Sequence, residues 1–142
     1  MKFIIPFLIL VLSACSHSEK HTDVMRLIEQ AAEVAPEGVE GEFFVHIQAT
    51  GQQKLHVFLN TQLDYRDRRN LTIDIAPKAV KQLYEIYDES PHTYLLDKNI
   101  IVKGLAQQVK IYIFVDGKKL SKYYYQTHIR VNSPEQIVVV DK

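Results

Sequence analysis

Residues 55–75 read LHVFLNTQLDYRDRRNLTIDI. Leu55, Val57 and Leu59 alternate with His56, Phe58 and Asn60, and Leu71, Ile73 and Ile75 alternate with Thr72 and Asp74. A period of two is the signature of a pleated strand with one buried face, so the stretch predicts strand, loop, strand. The loop between them is dense in charge. Its centre, DYRDRR at residues 64–69, holds three guanidinium groups, two carboxylates and a phenol. No cap or turn motif requires that set. Asp64, Tyr65, Arg66, Asp67, Arg68 and Arg69 are therefore candidate ligand contacts, because the guanidinium fork matches carboxylate and phosphate. The competing reading is local neutralisation, with Asp64 and Asp67 pairing the arginines and ordering the loop.

Upstream, the odd positions Phe43, Val45, Ile47 and Ala49 make residues 42–50 another alternating strand, and Gly51-Gln52-Gln53 is expected to turn it into the next. Before that, Val24, Leu27, Ile28 and Ala31 recur at helical spacing behind a capping Thr22 or Asp23, and Pro36 and Gly38 end the run. Downstream, Pro77 opens a helix that puts Val80, Leu83, Tyr84 and Tyr87 on one face, and Ser90-Pro91 stops it. Residues 92–97 link onward. Alternating strands follow at 98–105 and 109–115, and Asp116-Gly117 signals a tight hairpin into 123–131. A last short apolar strand lies at 137–140.

The order is helix, three strands, helix, then two or three strands, and three meander strands, one helix and a closing pair is the element order of the OB fold, a small Greek-key barrel. The expected class is thus mainly β (α+β): an OB-like barrel with an N-terminal helix and one helix between strands three and four. LDKNIIVKG, residues 96–104, resembles the fourth strand of many OB domains, and NTQLDYRDRRNLTI and KYYYQTHI resemble a group of small exported bacterial domains with no assigned activity. That resemblance implies fold and export and carries no chemistry.

The first residues, MKFIIPFLILVLSAC, place Lys2 before an apolar run too short to span a bilayer. Leu12-Ser13-Ala14-Cys15 resembles the lipobox of bacterial lipoproteins. The resemblance implies a signal peptide at 1–14, lipidation of Cys15 as the first mature residue, and a tether to residue 21 ahead of one domain at 22–142. It implies attachment to the membrane through the lipid, and Ser16 in place of Asp directs such proteins to the outer membrane, on its periplasmic face.

With 17 basic and 17 acidic side chains, the chain has no basic surplus for gripping nucleic acid through bulk charge, although a local patch stays open. The single cysteine excludes an intrachain disulfide. If odd positions face the core, Phe44, His46, Phe58, Tyr112, Phe114 and Tyr124 face outward, where aromatics beside arginine suit stacking of sugars or bases. Phe44, Phe58 and Tyr124 join the candidate contacts. The competing reading has the N-terminal helix covering this face. His46, His56 and His128 lack the carboxylate or Cys spacing of a metal motif, so no metal and no cofactor is expected. No nucleophile motif occurs. The favoured function is a non-enzymatic module binding an envelope protein, glycan or other ligand. The alternative is a nuclease-like phosphodiesterase using Asp64, Asp67, Asp74 and Arg66.

Overall fold

A computed structural model describes residues 20–140. Asp23 caps helix α1 (Val24–Glu33), its carboxylate accepting from the Arg26 N–H at 3.1 Å. Strands β1 (Val39–His46) and β2 (Ala49–Gln53) follow, then β3 (His56–Asn60) and β4 (Leu71–Ile75). Helix α2 (Pro77–Tyr87) and the short α3 (Pro91–Tyr94) lead to the long β5 (Asn99–Val115) and β6 (Lys118–Val131), and β7 (Ile137–Val140) ends the described chain.

The sheet order is β1-β5-β6-β4-β3-β2, with β7 added to β5. All neighbours are antiparallel except β4 and β6, the parallel pair that a crossover requires. The two ends of this order, β1 and β2, are one run of chain. The run changes partners between two residues: the Ile47 N–H donates to the Lys98 carbonyl and the Gln48 N–H to the Asn60 carbonyl, each at 2.9 Å. The sheet therefore curls until it meets itself, which is the OB-type Greek-key barrel.

Inward side chains of β1, β3, β4, β5, β6 and β7 make one core that includes Val45, Ile47, Leu59, Ile73, Ile100 and Ile129. Leu27 of α1 and Leu83 of α2 enter that same core. Helix α1 thus adds to the barrel interior instead of covering its aromatic outer surface.

Three local expectations need correction. The first hairpin turns at Lys54-Leu55, between the paired Gln53 and His56, and not at Gly51-Gln52-Gln53. Lys54 adopts φ +55°, and the two glutamines lie within a strand. The two alternating runs after α2 are a single 17-residue strand, β5. Its middle must stay extended because Ala106 pairs with Val39 on one side and Ile129 on the other. Gly104 serves close packing there: a Cβ would stand 3.0 Å from the Ile129 side chain. The expected link at 92–97 contains helix α3, which Pro91 opens and which delivers Leu95 fully buried. The hairpin at Asp116-Gly117 forms as read, with φ +49° and +75° at its two central residues.

Candidate ligand-binding groove

Register decides which outward residues meet. Asn60 of β3 pairs with Thr72 of β4, and Thr72 with His128 of β6. One step along, Phe58 pairs with Asp74, and Asp74 with Arg130. The outer surface of β2, β3, β4 and β6 is thereby a set of cross-strand rows. The charged row closes on itself. Asp74, nearly buried, accepts from Arg130 at 3.0 Å and lies 2.7 Å from His56 Nδ1.

The neighbouring row opens into a groove of about 440 Å³. Its floor is Phe58, Asn60, Thr72 and His128, and Gln52 and Gln53 line it from β2. Tyr65 overhangs from the 60–70 loop, and Ile111 and Tyr124 come from the hairpin of β5 and β6. Gln126 ties rim to wall: its Nε2 donates to the Tyr124 hydroxyl at 3.2 Å and the Tyr65 carbonyl at 3.4 Å, and its Oε1 lies 2.7 Å from His128 Nε2. Burial pushes the His128 imidazole below its ordinary 6.5, so it is neutral at pH 7. Burial, with Tyr65 nearby, pushes the Tyr124 phenol up. Among the described residues, no Asp, Glu, Lys or Arg lines this groove.

The loop that carries Tyr65 is locked from beneath. Asn70 Nδ2 donates to Asn60 Oδ1, the Thr72 hydroxyl and the Tyr65 carbonyl at 3.0 to 3.2 Å, and Asn70 Oδ1 accepts from the Gln62 N–H at 3.1 Å. DYRDRR itself is two tandem D-x-R units. Asp64 Oδ1 accepts the Arg66 N–H at 2.9 Å and its Nε at 3.2 Å, and Asp67 Oδ1 accepts the Arg69 N–H at 2.9 Å and its Nε at 3.0 Å. Each carboxylate therefore consumes the arginine two residues on, and Arg69 holds the Asp67 carboxyl at about 2. Arg66 and Arg68 line a second depression, about 800 Å³, whose other side is Met25, Ile28 and Ala32 of α1.

The candidates divide accordingly. Phe58, Tyr65 and Tyr124 meet in the groove; Arg66, Asp67 and Arg68 face the second depression, which Tyr124 also lines. Asp64 is absorbed by Arg66, and Arg69 by Asp67. Phe44 lies elsewhere, stacked on His21 at 4.0 Å, with its N–H donating to the Thr22 hydroxyl. Gln52, Gln126 and His128 were absent from the sequence-based candidates. The period-two pattern put Gln126 and His128 on the outward side, but amides and a neutral imidazole carry no charge signal. The histidines are engaged separately, His46 with Asn99 and Asp97, His56 with Asp74, His128 with Gln126. Among the described residues no three His, Cys, Asp or Glu side chains cluster as a metal site.

No protein-family model matches the chain, and no curated protein matches it. Among solved structures, it is similar to an aspartyl tRNA synthetase from Entamoeba histolytica, with 14% identity and a TM-score of 0.48. That match covers 87% of this chain and 22% of the synthetase chain.

Proposed function

We propose that the protein is a lipid-anchored, non-enzymatic binding module of the bacterial outer membrane whose groove takes a neutral glycan. The observation that carries the ligand class is the groove's make-up: aromatic faces at Phe58, Tyr65 and Tyr124, amides and a hydroxyl at Gln52, Asn60, Thr72 and Gln126, and no formal charge. Sugar rings offer apolar C–H faces to aromatics and hydroxyls to amides. A phosphate-bearing ligand would find no cation in the lining. The anchor reading is supported by the Leu12-Ser13-Ala14-Cys15 lipobox, five residues before Lys20 where the described chain starts. No helix among the described residues is long and apolar enough to cross a membrane.

The carboxylates named for a phosphodiesterase do not converge. Asp64 and Asp67 are each bound to an arginine, and Asp74 lies between His56 and Arg130. This favours binding over hydrolysis.

Calorimetric titration with a panel of neutral oligosaccharides and their phosphorylated counterparts tests the ligand class. Neutral members should bind, and Tyr65→Ala and Tyr124→Ala should each weaken them by ~1 kcal/mol, about fivefold, without altering the fold. Binding confined to phosphorylated members would overturn the reading. Mass spectrometry of the native N-terminus tests the anchor: an unmodified Cys15 or a retained Met1 sinks it.

A further inference from the structure

Beyond the barrel, β5 and β6 continue as a two-stranded arm. The last β5 residue paired with β1 is Ala106, and the first β6 residue paired with β4 is Thr127. From Lys110 to Tyr125 no residue is buried. A two-stranded ribbon is marginal in water without a third layer. This one nevertheless exposes Phe114 (61%) and Val115 (51%) at its tip, with Ile113 and Leu120 beside them. Four exposed apolar side chains within the eight residues 113–120 of one hairpin mark a contact surface.

The arm is also charged unlike the rest of the chain. Residues 110–125 hold four lysines and one aspartate, while the whole chain is formally neutral. Lys118 pairs with Val115 and Lys119 with Phe114, so lysines share the tip with the apolar side chains, and Tyr112 and Tyr123 pair further back. Lys119 lies over the Tyr112 ring at 3.6 Å and Lys110 over Tyr123 at 4.4 Å, so the lysine stems run along the aromatic faces. A tip in which lysines stand among apolar side chains, backed by tyrosines, suits the surface of an anionic bilayer, where lysine stems lie along the acyl boundary and their ammonium groups meet the headgroups.

We infer that the tip of the β5–β6 arm, Phe114 to Leu120, seats in the headgroup layer of an anionic membrane. The contact is distinct from the glycan groove and does not depend on what fills it. The tip's aliphatic side chains suit hydrocarbon better than stacked bases. A second copy of the arm would bring like charge against like.

The chain contains no tryptophan, so Phe114→Trp supplies a unique fluorophore at an exposed position. The full chain carrying it is reconstituted with phosphatidylglycerol or with phosphatidylcholine vesicles, and Ile86→Trp, exposed on α2, serves as the control. The expected result is a blue shift of the Phe114→Trp emission on phosphatidylglycerol alone. The shift should be lost at about 1 M salt, where screening acts within ~3 Å, and lost when Lys118, Lys119 and Lys122 are changed to Gln. Ile86→Trp should stay unshifted. Without any substitution, phosphatidylglycerol should shield Lys118 and Lys119 from trypsin. The inference is overturned by an equal response to both vesicles or to neither. It is equally overturned by a shift that grows with protein concentration in the absence of lipid, or one produced by a single-stranded oligonucleotide and not by vesicles.

Discussion

The side-chain amide of Asn70 donates to that of Asn60 at 3.0 Å, and both residues are buried beneath the loop that separates them. Thr72 completes the unit by donating its hydroxyl to the same Asn60 oxygen at 2.9 Å. The groove floor and the loop that overhangs it are therefore one polar network.

Replacing Asn70 with Ala removes a donor and an acceptor from that network at once. The Gln62 N–H, the Asn60 oxygen and the Tyr65 carbonyl all lose a partner. The Asn60 oxygen keeps the Thr72 hydroxyl and the Tyr65 carbonyl keeps Gln126, so only the Gln62 N–H is left unmatched, and the variant should lose about 1–3 kcal/mol in denaturant titration. It should also loosen Tyr65, weakening any groove ligand more than the stability loss alone explains.

Changing Arg66, Arg68 and Arg69 together to Gln should do little to either fold or groove. Arg66 and Arg69 serve carboxylates of their own loop, and Arg66 and Arg68 line the other depression. The melting temperature should stay nearly unchanged, because solvated pairs contribute little. One titration should move. Asp67, held at about 2 by Arg69, should return toward 3.8. Its contribution to stability, present above 3.8 in the native chain and lost as pH falls through about 2, should shrink with it, the backbone N–H of residue 69 keeping its bond to the carboxylate. Carboxylate NMR titration reads the change directly.

His128 predicts acid sensitivity at milder pH. Burial depresses its folded pKa, so below about 6.5 the unfolded chain takes up the proton first. Stability should fall as pH drops from 6.5 toward the lowered value, and should be unaffected by this group above 6.5. Comparing denaturation at about pH 7.5 and about pH 5.5, His128→Gln should show a flatter dependence than the native chain.

Leu27 sits at 3% exposure in the barrel core although it comes from the N-terminal helix. Leu27→Ala should cost ~2–5 kcal/mol, the range for a buried leucine whose cavity only partly collapses. A loss below ~1 kcal/mol would mean that α1 is peripheral to the barrel.

Asp74→Ala should cost less than a fully buried ion pair. Its carboxylate is buried, but the Arg130 side chain is 65% exposed and can return to water. A loss of ~1.5–3 kcal/mol is expected, the range for a hydrogen bond to a charged group, measured by denaturant titration.

What the amino-acid order determined alone is local. The period-two runs, Pro77 at the start of α2, the Asp23 cap and the Asp116-Gly117 turn depend on side-chain alternation and on φ preferences within a few residues, so they could be read without a partner strand in view. Element order then carried the OB class. The tertiary structure decided whatever depends on residues far apart in the chain. The switch of partners at Ile47-Gln48 needs Lys98 and Asn60, and the unbroken β5 needs Val39 and Ile129 on its two sides. The charge-dense loop drew attention because charge is visible in a sequence, and the competing reading, Asp64 and Asp67 pairing the arginines of their own loop, is the one the fold realises. Folding turned each aspartate onto the arginine two residues ahead, while strand register brought Phe58, Thr72, Tyr124 and His128 into one groove. Only the pairing limits of β1 and β4 show where the barrel ends and the arm begins, because an exposed strand and a buried one alternate with the same period.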